Sequence, residues 1–137
     1  MYILDTCVII DLIKGDPNTI RHFKSHKPSE INISVITEFE LRYGIEQATK
    51  NKSKRIVQSL LSEVCIIPVT AVEALKAATI RNELRVNGTP IGAYDLLIAA
   101  TALANDLITV TANVKEFERV SALNLENWRN ASRRSGS

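Results

Sequence analysis

Short β-branched runs alternate with longer amphipathic segments along this 137-residue sequence, and that alternation restricts the fold more than any other feature. Tyr2–Asp5, Ile31–Ser34, Val64–Val69 and Leu107–Thr111 read as strands, with a small edge strand at Leu123–Leu125. Helical periodicity fills the intervals: Cys7–Lys14, about 17–26, Ile36–Lys50, Ser53–Glu63, Thr70 to near Asn87-Gly88, about 93–105, and a turn around 114–119. Gly15 ends the first helix, and Asp16-Pro17 supplies an N-cap and a first-turn proline for the second. Thr70 and Glu73 have capping-box spacing. The alternation predicts an α/β fold: a three-layer α/β/α arrangement with a central, mostly parallel sheet of four to five strands. Ligands of such sheets bind beyond the carboxyl ends of the strands, so functional residues are expected just after strands.

Composition fits one domain over residues 1–130, followed by a polar, flexible tail over 131–137 (ASRRSGS). Apolar residues make up 45% of the chain, enough for a core. A net charge of +2 excludes neither nucleic acid nor protein as a partner. Cys7 and Cys65 lie in apolar runs and read as small core residues rather than a disulfide or metal pair. The start MYILD is charged by residue 5, unlike a signal peptide, and no apolar stretch is long enough to span a bilayer. The expected compartment is the cytosol, with no membrane partner.

Acidic residues stand where the fold class asks for them. Asp5 ends the first strand, Glu40 lies early in the helix after the second, and Asp95 opens the helix leading to the fourth. Asn113 and Glu116 follow the fourth strand, and Thr6 stands beside Asp5. Each has a plain alternative: Asp5 or Thr6 as an N-cap, Thr37 and Glu40 as a capping box, Asp95 as a first-turn acid, Asn113 and Glu116 at N-cap and N3 spacing. Their coincidence at one rim is what points to chemistry. Carboxylates 4 Å apart repel by roughly 4 kcal/mol per pair at an effective dielectric near 20, so a cluster of them calls for a cation. An oxygen-only donor set suits Mg2+, with Mn2+ as a substitute. Such an ion lowers the pKa of a bound water and orients phosphate oxygens for in-line attack.

Competing residues are separable by spacing. Glu38 is rotated about 200° from Glu40 and cannot face the same site. Asp11 is expected on the outer face of its helix, and Asp106 lies at the wrong end of the sheet. His22 and His26 are spaced i,i+4 without a third ligand and read as a solvated face. Lys14, Arg42, Arg81, Arg85 and the run Lys50–Arg55 are candidate phosphate contacts, and Tyr94 a candidate stacking surface for a base; Tyr43 and Trp128 read as packing residues.

The segments YILDTCVIIDLIKG, ISVITEFELRYGIE, RNELRVNGTPIGAYDLLIAATALAND, LITVTANVKEFERV and LNLENW occur in this order and cover nearly the whole chain. Together they resemble the VapC-type toxins of the PIN-domain family. The resemblance implies a PIN-like fold and a Mg2+- or Mn2+-dependent endoribonuclease that is the toxin of a type II toxin–antitoxin pair. It implies inhibition by a VapB-type antitoxin, and a homodimer built on exposed apolar positions between residues 36 and 64. It assigns metal-binding acid roles to Asp5, Glu40 and Asp95, and a more variable fourth acidic position to the TANVKEF segment. There this chain has Asn113, leaving Glu116 as the nearest acid, while Thr6 and Thr111 become hydroxyl neighbours of the site. Relatives with similar RYG, GTPIG and LENW elements imply a tRNA substrate, including the anticodon loop of initiator tRNA. Two other classes stand beside it: a non-catalytic RNA- or protein-binding module on the same fold, and a phosphotransfer protein, either a receiver domain or an Asp-nucleophile phosphatase. The last requires a second Asp where Cys7 stands, or an acidic pair after the first strand, and the sequence has neither.

Overall fold

The computed structural model describes residues 1–129. Five parallel strands, β1 (Tyr2–Leu4), β2 (Ile31–Ser34), β3 (Cys65–Ile67), β4 (Ile108–Val110) and β5 (Leu125–Glu126), form one sheet in the order β3-β2-β1-β4-β5. Among the described residues, seven helices flank it: α1 (Thr6–Lys14), α2 (Pro17–Lys24), α3 (Val35–Gln47), α4 (Asn51–Glu63), α5 (Ala71–Val86), α6 (Ala93–Ala104) and the short α7 (Val114–Phe117). The three-layer architecture expected from the alternation is therefore present. The expected tail and residue 130 lie outside the described residues.

Successive strand side chains point to opposite faces, and the core divides accordingly. Ile3 joins a cluster with Ile80, Leu84, Ile98 and Phe117 under α5, α6 and α7. Leu4 joins Val8, Ile33, Leu41, Val57 and Trp128 under α1, α3 and α4. β1 is central, with β2 on one side and β4 on the other. The direction of winding reverses between β1 and β4, and a parallel sheet opens a crevice at such a point.

Several boundaries differ from expectation. β2 has the expected bounds, but β1, β3 and β4 are shorter, and the edge pairing begins at Leu125, opposite Thr109, rather than at Leu123. α3 starts directly after β2 because the Ser34 hydroxyl accepts from the Ile36 amide and caps it. A 3-10 turn at Pro28–Glu30, in which Glu30 accepts from the Lys27 amide, leads into β2. The Thr70–Glu73 capping box forms as predicted, and Gly15 closes α1 in the left-handed conformation at φ 85°.

Five side chains occupy surroundings that periodicity alone misassigns. Cys65 is exposed, not core, because it starts the edge strand β3. Tyr43 is exposed rather than packed. His22 and His26 are partly buried against Trp128, with ring centroids 5.5 and 5.6 Å away, and Tyr2 lies 4.5 Å from His26. Asp11 is not on an outer face: it is buried and takes two hydrogen bonds from the Arg129 guanidinium, at 2.8 and 3.0 Å. Asn18 completes this anchor by donating to the Arg129 carbonyl at 2.8 Å.

The two halves of the Asp11–Arg129 pair are unequally exposed, 11% against 53% of the side chain. Arg129→Ala leaves a buried carboxylate without its partner and is expected to lower stability by ~2 kcal/mol in urea unfolding. Asp11→Ala frees a guanidinium that can turn to water and is expected to cost less. An equal or larger loss for Asp11→Ala contradicts this account of the anchor.

Candidate active site

Asp5 is fixed at the reversal point by contacts from the end of β4 and the start of α1. Its amide donates to the Val110 carbonyl at 2.9 Å, extending the β1–β4 pairing by one residue. Its Oδ1 accepts from the Thr6 amide at 2.7 Å, so it does cap α1. Its Oδ2 accepts from the Thr111 hydroxyl at 2.8 Å and from the Cys7 thiol at 3.2 Å. Burial, then the charge of Asp5, pushes the Cys7 thiol up to about 11, so it stays protonated at neutral pH and acts as a donor. The carboxylate is buried, yet capping uses only one of its oxygens.

Glu40 reaches the same rim from the second turn of α3. Its Oε1 accepts from the Thr6 hydroxyl at 2.7 Å, and the Thr37 hydroxyl lies 3.2 Å from that of Thr6. The Thr37–Glu40 capping alternative does not form, since Ser34 caps α3. Glu38 points away and pairs with Arg42 at 2.9 Å.

Asp95 and Glu116 meet above Gly92. An atom at the Cβ position of Gly92 would lie 3.9 Å from Asp95 Oδ2 and 3.7 Å from Glu116 Oε1. Glu116 Oε1 accepts from the Gly92 amide at 2.8 Å, and its Oε2 accepts from the Asn113 side-chain amide at 2.6 Å. Asn113 therefore serves Glu116 rather than capping α7. The Gly92 bond holds Glu116 below the usual carboxylate range. Asp95 moves the opposite way, to about 7: burial contributes most, followed by the charges of Asp5 and Glu116, a hydrogen bond to Glu116, and the charge of Glu40. Three other carboxylates thus act on Asp95 across the rim.

Glu40, Gly92, Ala93, Tyr94 and Asp95 line an open cavity of about 390 Å³ at this point. Its walls offer carboxylate, hydroxyl and amide-carbonyl oxygens, a donor set suited to a hard divalent cation, and the opposition to ionising Asp95 is what such a cation relieves. Among the described residues, no three His, Cys, Asp or Glu side chains are grouped closely enough to hold an ion as they stand. The fit is therefore in the chemistry of the donors, and ligation requires side-chain rotations at the rim.

All six candidate residues, Asp5, Thr6, Glu40, Asp95, Asn113 and Glu116, lie along this rim in two linked groups. Thr111, a hydroxyl neighbour of the site implied by the family resemblance, does bond Asp5. The sequence offers Thr37 only as a capping partner for Glu40 and gives the Gly92 amide no role; in the fold the Thr37 hydroxyl lies beside that of Thr6 instead. Arg119, which donates to the Pro90 carbonyl at 2.8 Å and fixes the loop before α6, has no local signal. Phe39, exposed on α3, meets the Tyr94 ring edge-on with centroids 5.9 Å apart.

A family model described as PIN domain matches residues 2–123. The chain is similar to the tRNA(fMet)-specific endonuclease VapC of Salmonella typhimurium, with 35% identity over 128 residues, covering 93% of this chain and 97% of that one. Ribonuclease VapC2 of Haemophilus influenzae is 36% identical over 128 residues, with the same coverage of 93% and 97%. Among solved structures, DNA-bound VapBC from Salmonella typhimurium superposes with a TM-score of 0.86 at 35% identity, over 93% of this chain and 97% of that one. VapBC2 from Rickettsia felis bound to a promoter DNA fragment gives 0.83 at 33% identity, over 93% and 98%.

The raised Asp95 pKa has a definite sign for the metal-free protein. Its proton is bound more tightly folded than unfolded, so its contribution to stability is complete below pH 4 and is lost as pH rises through about 7. In EDTA, Asp95→Asn is expected to raise Tm at pH 8 by about 3 °C, allowing for solvent screening of this half-exposed group, and to leave it nearly unchanged at pH 4. A variant no more stable than wild type at pH 8 contradicts the electrostatic account.

Proposed function

The chain belongs to the PIN-domain family, and from that premise we propose that it is the toxin of a type II toxin–antitoxin pair. The reaction is hydrolysis of an RNA phosphodiester bond in a tRNA, dependent on Mg2+ with Mn2+ as a working substitute. The observation that carries this reading is the convergence of Asp5, Glu40, Asp95 and Glu116 on the crevice between β1 and β4. Relatives along nearly the whole chain bear ribonuclease names, which supports it.

In this reading Asp5, Glu40 and Asp95 hold the ion, directly or through water. A bound divalent cation supplies Lewis acidity at a phosphoryl oxygen and makes water nucleophilic near neutral pH. The protein's own part is positional. Thr111 and Cys7 orient the Asp5 carboxylate toward the crevice, and Thr6 orients that of Glu40. Asp95 gives up its proton when positive charge enters, and Glu116, held by Gly92 and Asn113, maintains negative charge beside it.

The substrate assignment to tRNA, and to initiator tRNA, rests on the Salmonella and Shigella relatives, both named tRNA(fMet)-specific endonucleases; the anticodon loop is the proposed place of the cut. A VapB-type antitoxin is the partner, as in the VapBC complexes this chain superposes on, and it inhibits by placing a cation or a blocking side chain in the crevice. Self-association as a homodimer uses exposed apolar residues of α3 such as Phe39 and Tyr43. No helix among the described residues is long and apolar enough to cross a membrane, and the cytosol is the proposed site of action.

Incubation of the purified protein with total RNA and Mg2+, followed by mapping of new 5′ ends, tests the proposal. Discrete cuts in tRNA are expected, abolished by EDTA and restored by Mg2+ or Mn2+. Asp5→Asn is expected to fold and to lower the rate roughly 100-fold or more. Cleavage by Asp5→Asn at the wild-type rate contradicts the site, and uniform mRNA degradation with intact tRNA contradicts the substrate.

A further inference from the structure

A second cavity, of about 360 Å³, opens between the last turns of α5 and the start of α6. Leu84, Ile91 and Leu96 form an apolar floor with Pro90 at its edge, and Arg81 and Arg85 stand over it. The two arginines are four residues apart, so they share one helix face. Both are exposed, and among the described residues neither is in an ion pair; Arg85 donates only to the neutral Asn82 side chain, at 3.0 Å. Ala93 lines this cavity and also the acidic one, so the two are neighbours across the 90–93 turn. That dividing turn is pinned from α7 and beyond, by Glu116 on the Gly92 amide and Arg119 on the Pro90 carbonyl.

An apolar floor beneath unneutralised guanidinium groups fits a ligand that is flat and apolar at one end and anionic at the other. A strand of RNA entering the crevice meets four carboxylates that repel its phosphates, so cationic contacts are needed immediately alongside. Guanidinium groups bind phosphate through paired hydrogen bonds, and bases of single-stranded RNA are held on apolar or planar surfaces. We propose that this cavity is a nucleotide subsite: it receives one base of the RNA flanking the cleaved bond on Leu84, Ile91 and Leu96, while Arg81 and Arg85 hold the adjoining phosphate. The inference rests on the ribonuclease reading above and adds to it a place where a flanking nucleotide is recognised.

The test uses the full chain and end-labelled bulk bacterial tRNA. Filter binding over a salt series in EDTA gives affinity, and cleavage kinetics in Mg2+ give kcat and KM separately. The double variant Arg81→Glu/Arg85→Glu, on exposed positions and checked for folding by circular dichroism, is expected to weaken binding at least about tenfold and to reduce the salt slope by about one. KM rises while kcat is largely kept. Ile91→Ala is expected to raise KM with an unchanged salt slope, since it alters the floor and not the charge. Photocrosslinks from 4-thiouridine-substituted tRNA are expected within residues 81–96. Unaltered affinity and salt slope in the double variant, or crosslinks confined to other segments, overturn the subsite. So does a double variant that binds RNA normally but no longer self-associates, which reassigns the cavity to a protein interface. If wild type neither binds nor cleaves RNA, the ribonuclease reading itself fails, and the two failures are thereby distinguished.

Discussion

The seam between β1 and β4 is the constraint on which the rest of the site depends. Parallel pairing brings Asp5 and Thr111 to the same level at the carboxyl end of the sheet, joined by a backbone bond of 2.9 Å and a side-chain bond of 2.8 Å. α1 and α3 cover one face of the sheet and α6 the other, and each begins at this carboxyl end. Glu40 and Asp95 can therefore approach Asp5 although they are 35 and 90 residues away in sequence. Remove the register of β1 against β4 and the acids separate. No local feature of α3 or α6 could restore their approach.

Gathering like charges opposes folding, and the structure manages the opposition residue by residue. Glu116 is kept ionised by two donors, the Gly92 amide and the Asn113 side chain. Asp5 takes three donors. Asp95 is left as the group without such support and carries the burden as a raised pKa of about 7. The neutral Asn113 fits this pattern: it adds no charge to the rim and donates to Glu116. Hydroxyls of Thr6, Thr37 and Thr111 serve as a polar lining between the carboxylates, positions where an apolar side chain would leave buried oxygens unsatisfied.

What was legible in the sequence followed from local rules. Strand–helix alternation specified the layers, the rule that ligands bind at strand carboxyl ends pointed to Asp5 and Glu40, and Asp95 stood out as the acid opening the helix before the fourth strand. The two-residue rotation between Glu38 and Glu40 was enough to separate them, and Glu38 does turn to Arg42. Features that depend on distant segments were not legible. Asp11 lacks any local partner, and its burial is explained only by Arg129, 118 residues on. His22 and His26 read as solvated until Trp128 folds back against them. Cys65 sits in an apolar run yet is exposed, because periodicity cannot reveal which strand forms the edge. The roles of Gly92 and Arg119 are invisible for a different reason: one acts through a backbone amide and the other on a backbone carbonyl.

The central claim is that the rim carboxylates form one cation site once their side chains rotate inward. Anomalous diffraction from crystals soaked in Mn2+ tests it most directly. The account predicts a single strong peak within about 2.1 Å of carboxylate oxygens from Asp5 and Asp95, with Glu40 in the same coordination shell or one water away. A peak elsewhere on the molecule, or none at the rim under saturating Mn2+, contradicts it.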